Sequence, residues 1–160
     1  MTGTGAATIY MTAEEPLSFV DTNVLVYAFD KSDSPKKRVA QQLINQLMDE
    51  DRLRVSTLVL QELFVTLTRK VSQRCSSQGA LEVLDDLTAW PLIVVDYAAI
   101  RAAVGLAQEA ILSFWDALVV VAAARTGAEV LYTEDLNDGQ KILGVRITNP
   151  FAAFSEKSPC

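Results

Sequence analysis

Short apolar runs of strand length alternate with longer stretches of helical periodicity along most of the chain, and this alternation limits the fold more than any other feature. Leu17-Ser18-Phe19-Val20 reads as a strand that ends at Asp21. Ser34-Pro35 opens a helix, with serine as N-cap and proline at the first position. Val39, Leu43, Ile44 and Leu47 repeat along one face of it. Leu53-Arg54-Val55 reads as a second strand, and Ser56 or Thr57 starts a helix running to about Val71. A further helix spans about Gln78 to Ala89. Pro91-Leu92-Ile93-Val94-Val95 predicts a strand and Tyr97 to Gln108 a helix. Ser113 caps a helix that ends near Gly127. Glu129-Val130-Leu131-Tyr132 and Val145-Arg146-Ile147 complete the strands. Nearly all-apolar short strands between helices indicate an α/β fold, a mainly parallel sheet covered on both faces. Ligands of such open sheets sit at the carboxyl ends of the strands.

At 160 residues the chain suits one domain with one core, and half of it is hydrophobic. No linker or repeat marks a boundary, so the expected division is a tail over 1–16, one domain over 17–154 and a tail over 155–160. No apolar run reaches the roughly 18 residues needed to cross a bilayer; Ala117 to Ala124 reads as a buried helix face. The N-terminus lacks the basic start and apolar core of a signal peptide, so the expected location is cytoplasmic. Two cysteines, Cys75 and Cys160, are too few for a disulfide framework.

The chain contains no histidine. That removes the commonest general base, the Ser-His and Cys-His nucleophile pairs, and imidazole-based zinc sites. Any metal must then rely mainly on oxygen ligands, which favour Mg²⁺, Mn²⁺ or Ca²⁺. The formal charge of −6 argues against a broad basic face for nucleic acid. A local basic rim is still compatible with that total.

The acids carry the functional argument. Asp21 follows the first strand within Val20-Asp21-Thr22-Asn23. Asp135 follows a later strand within Leu131-Tyr132-Thr133-Glu134-Asp135. Both belong at the same edge of a parallel sheet. Asp116 falls in the first turn of the Ser113 helix, and Glu62 about one turn into the helix after the second strand. Four carboxylates brought together repel and raise one another's pKa. A divalent cation relieves that conflict, polarises a phosphate and activates a bound water. Such a site hydrolyses a phosphodiester without histidine. Each acid also has a purely structural use. Asp116 completes a capping-box-like S-x-x-D pair with Ser113. Glu62 suits an exposed helix position, although Leu60, Leu63 and Phe64 beside it are apolar. Asp135 belongs to a turn-rich run ending at Gly139.

At these residues the chain resembles the PIN-domain nucleases, and within them the VapC-type toxins of bacterial toxin–antitoxin pairs. The resemblance covers about Leu17 to Phe154. It rests on Phe19-Val20-Asp21-Thr22-Asn23-Val24-Leu25-Val26-Tyr27-Ala28, Leu60-Gln61-Glu62-Leu63, Ser113-Phe114-Trp115-Asp116-Ala117-Leu118 and Leu131-Tyr132-Thr133-Glu134-Asp135-Leu136, in this order. It implies a three-layer α/β/α sandwich and an endoribonuclease dependent on Mg²⁺ or Mn²⁺. Asp21, Glu62, Asp116 and Asp135 match the four family acids. Asp21 and Asp116 are then the main direct metal ligands. Glu62 binds metal or holds its water, and Asp135 completes a second site or orients a ligand. Thr22, Asn23 and Thr133 match supporting polar neighbours, and Glu134 and Asp138 compete with Asp135 for its place. The resemblance also implies an RNA substrate, a homodimer and a cognate antitoxin, with no membrane and no direct DNA contact.

Other features carry less. Arg69, Lys70 and Arg74, and Lys36, Lys37 and Arg38, suit RNA phosphates, although a solvated helix end is the commoner use of such a cluster. Trp90, Phe114 and Trp115 suit base stacking or core packing. The apolar positions Leu58, Val59 and Val65 suit a core or a partner contact. Two other classes compete with the enzyme reading. One is a PIN-like module that binds RNA or protein without cutting. The other is an aspartyl-phosphate phosphatase, against which stands the absence of a second Asp two positions after Asp21.

Overall fold

A computed structural model describes residues 14–155, so the expected tails lie almost wholly outside the described residues. Six strands form one sheet in the order β3-β2-β1-β4-β6-β5. They are β1 Ser18–Val20, β2 Leu53–Ser56, β3 Leu92–Ile93, β4 Val130–Tyr132, β5 Lys141–Ile142 and β6 Val145–Thr148. All neighbours run parallel except β5, which pairs antiparallel with β6. The helices are α1 Thr22–Phe29, α2 Pro35–Asp49, α3 Thr57–Val65, α4 Ser77–Leu87, α5 Tyr97–Ala110, α6 Phe114–Arg125 and α7 Ala152–Ser155. The result is the three-layer α/β/α sandwich that strand–helix alternation leads one to expect.

Burial follows the sequence pattern. Phe19, Val20, Val55, Leu131 and Ile147 are fully or almost fully enclosed, as strands covered on both faces require. Helix α6 is buried from Ala117 through Ala123 with no polar stripe, and packs against α5 and the sheet. The run Ala117 to Ala124 is therefore a core helix, and among the described residues no single helix is long and apolar enough to cross a membrane. On α2, Ala40, Ile44 and Leu47 are buried, with Val39 and Leu43 packed against the core beside them.

Three local departures from the sequence reading have physical causes. Residues after Asp21 form α1, whose cap is Asp21 itself: the Thr22 N–H donates to Asp21 Oδ1 at 2.8 Å. Val24, Leu25 and Ala28 bury one face of α1 at helical spacing. The helix expected to reach Val71 is α-helical only to Val65. Thr66–Lys70 forms a wider π-turn, closed by the Val71 N–H donating to Thr66 O at 3.2 Å. The strand expected over 91–95 is only Leu92–Ile93. The Val95 N–H leaves the ladder and donates to Thr57 Oγ1 at 3.0 Å.

The site is positioned by topology. From β1 the chain moves outward to β2 and β3, then returns to β4 on the opposite side of β1. The reversal opens a crevice at the carboxyl ends of β1 and β4, where open α/β sheets bind ligands. Val20 pairs with Tyr132, and the Asp21 N–H donates to Tyr132 O at 3.0 Å. Asp21 and Thr133 therefore leave adjacent strands side by side.

Candidate active site

The Asp21 carboxylate is the centre of a closed polar network. Its Oδ1 accepts the Thr22 N–H, and its Oδ2 accepts the Thr133 hydroxyl at 2.9 Å. Thr133 Oγ1 in turn accepts from Asn23 Nδ2 at 3.2 Å and from the Asp135 N–H at 3.2 Å. One donor and two acceptor positions are all a hydroxyl has, so Thr133 is saturated. Asn23 Nδ2 also donates to Asp135 Oδ2 at 2.9 Å. On the other flank, the Thr22 hydroxyl donates to Glu62 Oε2 at 2.8 Å. Thr22, Asn23 and Thr133 thus tie Asp21 to Glu62 and Asp135 across three separate segments.

Asp21 is 8% exposed, and its partners are amide and hydroxyl donors. No cation among the described residues bonds to it. Burial pushes its pKa up from 3.8 to about 6. The Thr22 and Thr133 hydrogen bonds work against that rise, whereas the nearby Glu62 and Asp135 carboxylates add to it. Near neutral pH the group still carries its charge, at an electrostatic cost.

Asp116 takes no part in these hydrogen bonds. Its backbone N–H donates to Ser113 Oγ at 3.1 Å, so Ser113 caps α6 as the spacing predicts. Its half-buried carboxylate makes no hydrogen bond to another described residue. Hydrogen bonds thus link three of the four expected acids, Asp21, Glu62 and Asp135, and do not reach Asp116. Among the described residues, no three acids are placed so as to hold a metal ion together. The donor chemistry is nonetheless all oxygen, with one buried carboxylate lacking a counter-charge. That set suits an ion such as Mg²⁺, which takes one or two carboxylates and keeps several waters.

Three acids compete at the end of β4, and their partners separate them. Glu134 is held by Lys36, whose Nζ lies 2.8 Å from its carboxylate. This hydrogen bond raises the Lys36 pKa. Lys36 also sits over the Tyr27 and Phe151 rings, 5.0 and 5.3 Å from their centroids. Asp138 Oδ1 accepts the Asn149 N–H at 2.8 Å. Of the three, only Asp135 joins the Asp21 network through its carboxylate; Glu134 reaches it through its backbone N–H, which donates to Asn23 Oδ1 at 3.4 Å.

An open cleft of about 880 Å³ adjoins the network, with Glu62, Glu134 and Asp135 on its walls beside Tyr27, Lys70 and Trp115. Of the last three, the sequence reading named Lys70 only within a basic cluster and Trp115 only as one of three aromatic residues, and gave Tyr27 no role of its own. Tyr27 lies on α1, which was not foreseen, and Lys70 reaches the cleft through the π-turn. Trp115 immediately precedes Asp116.

Fold and site together define an α/β/α domain whose working edge is acidic and lies at the switch point of a parallel sheet. The PIN domain family model matches residues 18–138, and the chain belongs to that family. No curated relative matches it by sequence. Similar solved structures include a toxin–antitoxin complex from Klebsiella pneumoniae, 21% identical with a TM-score of 0.62 over 83% of this chain and 97% of that one. FitAcB from Neisseria gonorrhoeae is 16% identical, with a TM-score of 0.60 over 84% and 99%. The sarcin–ricin loop cleaving toxin VapC20 of Mycobacterium tuberculosis is 19% identical, with a TM-score of 0.57 over 74% and 91%. At such identities the likeness is one of fold.

Proposed function

We propose that this protein is a Mg²⁺- or Mn²⁺-dependent endoribonuclease that acts as the toxin of a toxin–antitoxin pair. The observation that carries this reading is the Asp21 carboxylate, buried and without a counter-charge at the switch point, yet tied to Glu62 and Asp135. Membership of the PIN family supports it. So do similar folds described as a toxin–antitoxin complex and as a sarcin–ricin loop cleaving toxin.

In this reading Asp21 and Asp116 hold the metal, with Glu62 and Asp135 as further ligands or as holders of its waters. The ion, when bound, supplies a Lewis acid for the phosphodiester and lowers the pKa of water. Thr133 and Thr22 keep the Asp21 carboxylate in one orientation through the bonds described above. Asn23 fixes Asp135 in the same way. An antitoxin that offers a basic side chain to this acidic edge would compete with the metal. Homodimerisation belongs to the same proposal. RNA cleavage with Mg²⁺, with EDTA, and by Asp21→Asn and Asp116→Asn tests it. Cleavage only by the unaltered protein with metal is expected; equal cleavage in all four cases sinks the reading.

A second reading, a binding module that does not cut, is favoured by one observation: among the described residues no three acids are ready to share an ion. Titration with Mn²⁺ separates the two. A non-catalytic module binds none at Asp21, so Asp21→Asn leaves its titration unchanged.

A further inference from the structure

The cleft beside the acids presents a chemical combination that neither the acids nor the core explains. Trp115 is the second residue of α6, precedes Asp116, and is 60% exposed on the cleft wall. A large apolar ring left in water is unfavourable, and tryptophan is on average a highly buried residue. Its ring makes an edge-to-face contact with Phe114, centroids 5.2 Å apart, which leaves most of it open to the cleft.

Lys70 is the second unusual group. In an uninterrupted α-helix, residue 70 would lie about 80° around the axis from residue 62. Residues of a π-turn advance by less, because each turn contains more of them. The turn Thr66–Lys70 takes up the excess, and Lys70 lines the same cleft as Glu62. The other charged groups on the walls are Asp30, Glu62, Glu134 and Asp135. The nearby Lys36 is committed to Glu134. Among the described residues, Lys70 is therefore the one cation on these walls, and it has no ion pair.

We infer that this cleft is a nucleotide subsite, in which Trp115 stacks on an unpaired base and Lys70 holds a neighbouring backbone phosphate. The inference rests on the ribonuclease reading and adds its substrate contacts. A flat aromatic face and a lone ammonium beside carboxylates match a base and a phosphodiester that enters an otherwise repulsive cleft. A paired base keeps its faces inside the duplex, so the target base must be unpaired. A basic peptide is the competing occupant of an acidic cleft, but Lys70 would repel it. The two occupants therefore predict opposite effects of removing this lysine.

The test uses intrinsic fluorescence. The chain has two tryptophans, and Trp90→Phe leaves Trp115 as the sole reporter. Hexameric oligoadenylate is titrated with Ca²⁺ present to neutralise the carboxylates, beside an abasic hexamer of the same length. The expected result is saturable quenching by oligoadenylate and none by the abasic strand. In the same background, Lys70→Ala weakens oligoadenylate binding and lowers the dependence of log K on log salt by about 0.7, the value for one phosphate on a single strand. In cleavage assays with Mg²⁺, Trp115→Ala raises KM roughly ten-fold with little change in kcat. Both side chains are exposed, and circular dichroism checks that the fold is kept. RNA cleaved with unaltered KM by Trp115→Ala and Lys70→Ala overturns the subsite while leaving the nuclease intact. Tighter rather than weaker binding by Lys70→Ala also overturns it. RNA neither bound nor cut by the unaltered protein overturns subsite and ribonuclease together.

Discussion

Asp21 sets the electrostatics of this molecule at the scale of a single residue. Its folded pKa of about 6 lies above its ordinary value of 3.8, so the folded state prefers the protonated form. Between these values the native protein binds more protons than the unfolded chain, and stability falls as pH rises. The loss begins near pH 4 and is complete a little above pH 6, where it amounts to roughly 3 kcal/mol. Metal-free Asp21→Asn escapes this loss. Urea melts should show the variant gaining stability over the unaltered protein as pH rises from 4 to 7, and a constant difference across that range contradicts the assignment. Lys36 acts in the opposite sense. Lys36→Met removes a charge-assisted hydrogen bond and a cation held over two rings, and should cost about 1 kcal/mol in the same melts. Glu134→Gln keeps an acceptor and should cost less. The acids of this site were legible because they sit beside strand ends and helix starts. Lys36 was legible only as part of a basic cluster, because its partner Glu134 lies 98 positions away.

At the scale of the element, what escaped the sequence reading did so because the usual local signal was missing. The β5–β6 hairpin turns on Leu143 and Gly144 with φ of 50° and 77°. A turn of this kind commonly carries Asn-Gly, so a leucine in first place hides it. Helix α1 was hidden because its cap, Asp21, was read only as a site acid. Even so, helices α2, α4, α5 and α6 were legible; Ser34 and Ser113, read as caps, each accept a backbone N–H at their helix starts, and Ser76 and Asp96, not read as caps, do the same. The junction between α5 and α6 is strained. Ile111 ends α5 with φ of 55° although it is β-branched, and is 92% exposed, so no packing offsets the strain. Ile111→Gly should stabilise the protein by about 1 kcal/mol, raising Tm by roughly 2–4 °C. Ile111→Ala keeps the Cβ that causes the clash and should change Tm little. A fall in Tm for the glycine variant would show that Ile111 makes a contact worth more than its backbone strain.

At the scale of the whole molecule, alternating strands and helices made the layered fold legible, but strand order depends on contacts between distant segments. Nothing local in the sequence says that β1 lies between β2 and β4. That order places a buried, uncompensated carboxylate beside two others at one edge of a chain with net charge −6. The folded state should therefore respond to divalent cations far more than ionic strength alone explains. An ion that binds the native protein and not the unfolded chain stabilises it by about 2.7 kcal/mol at one hundred times its Kd. For a domain of this size that is roughly 5–10 °C in Tm. Thermal melts in MgCl₂ or MnCl₂ should show this rise, and NaCl of matched ionic strength should not. Asp21→Asn should abolish most of the rise while starting from a higher Tm in EDTA. This crossing of the two proteins, the variant more stable without metal and less responsive with it, separates a carboxylate kept to hold a cation from one kept only to cap α1. A cap alone predicts a variant no more stable in EDTA, with the same small response to either salt.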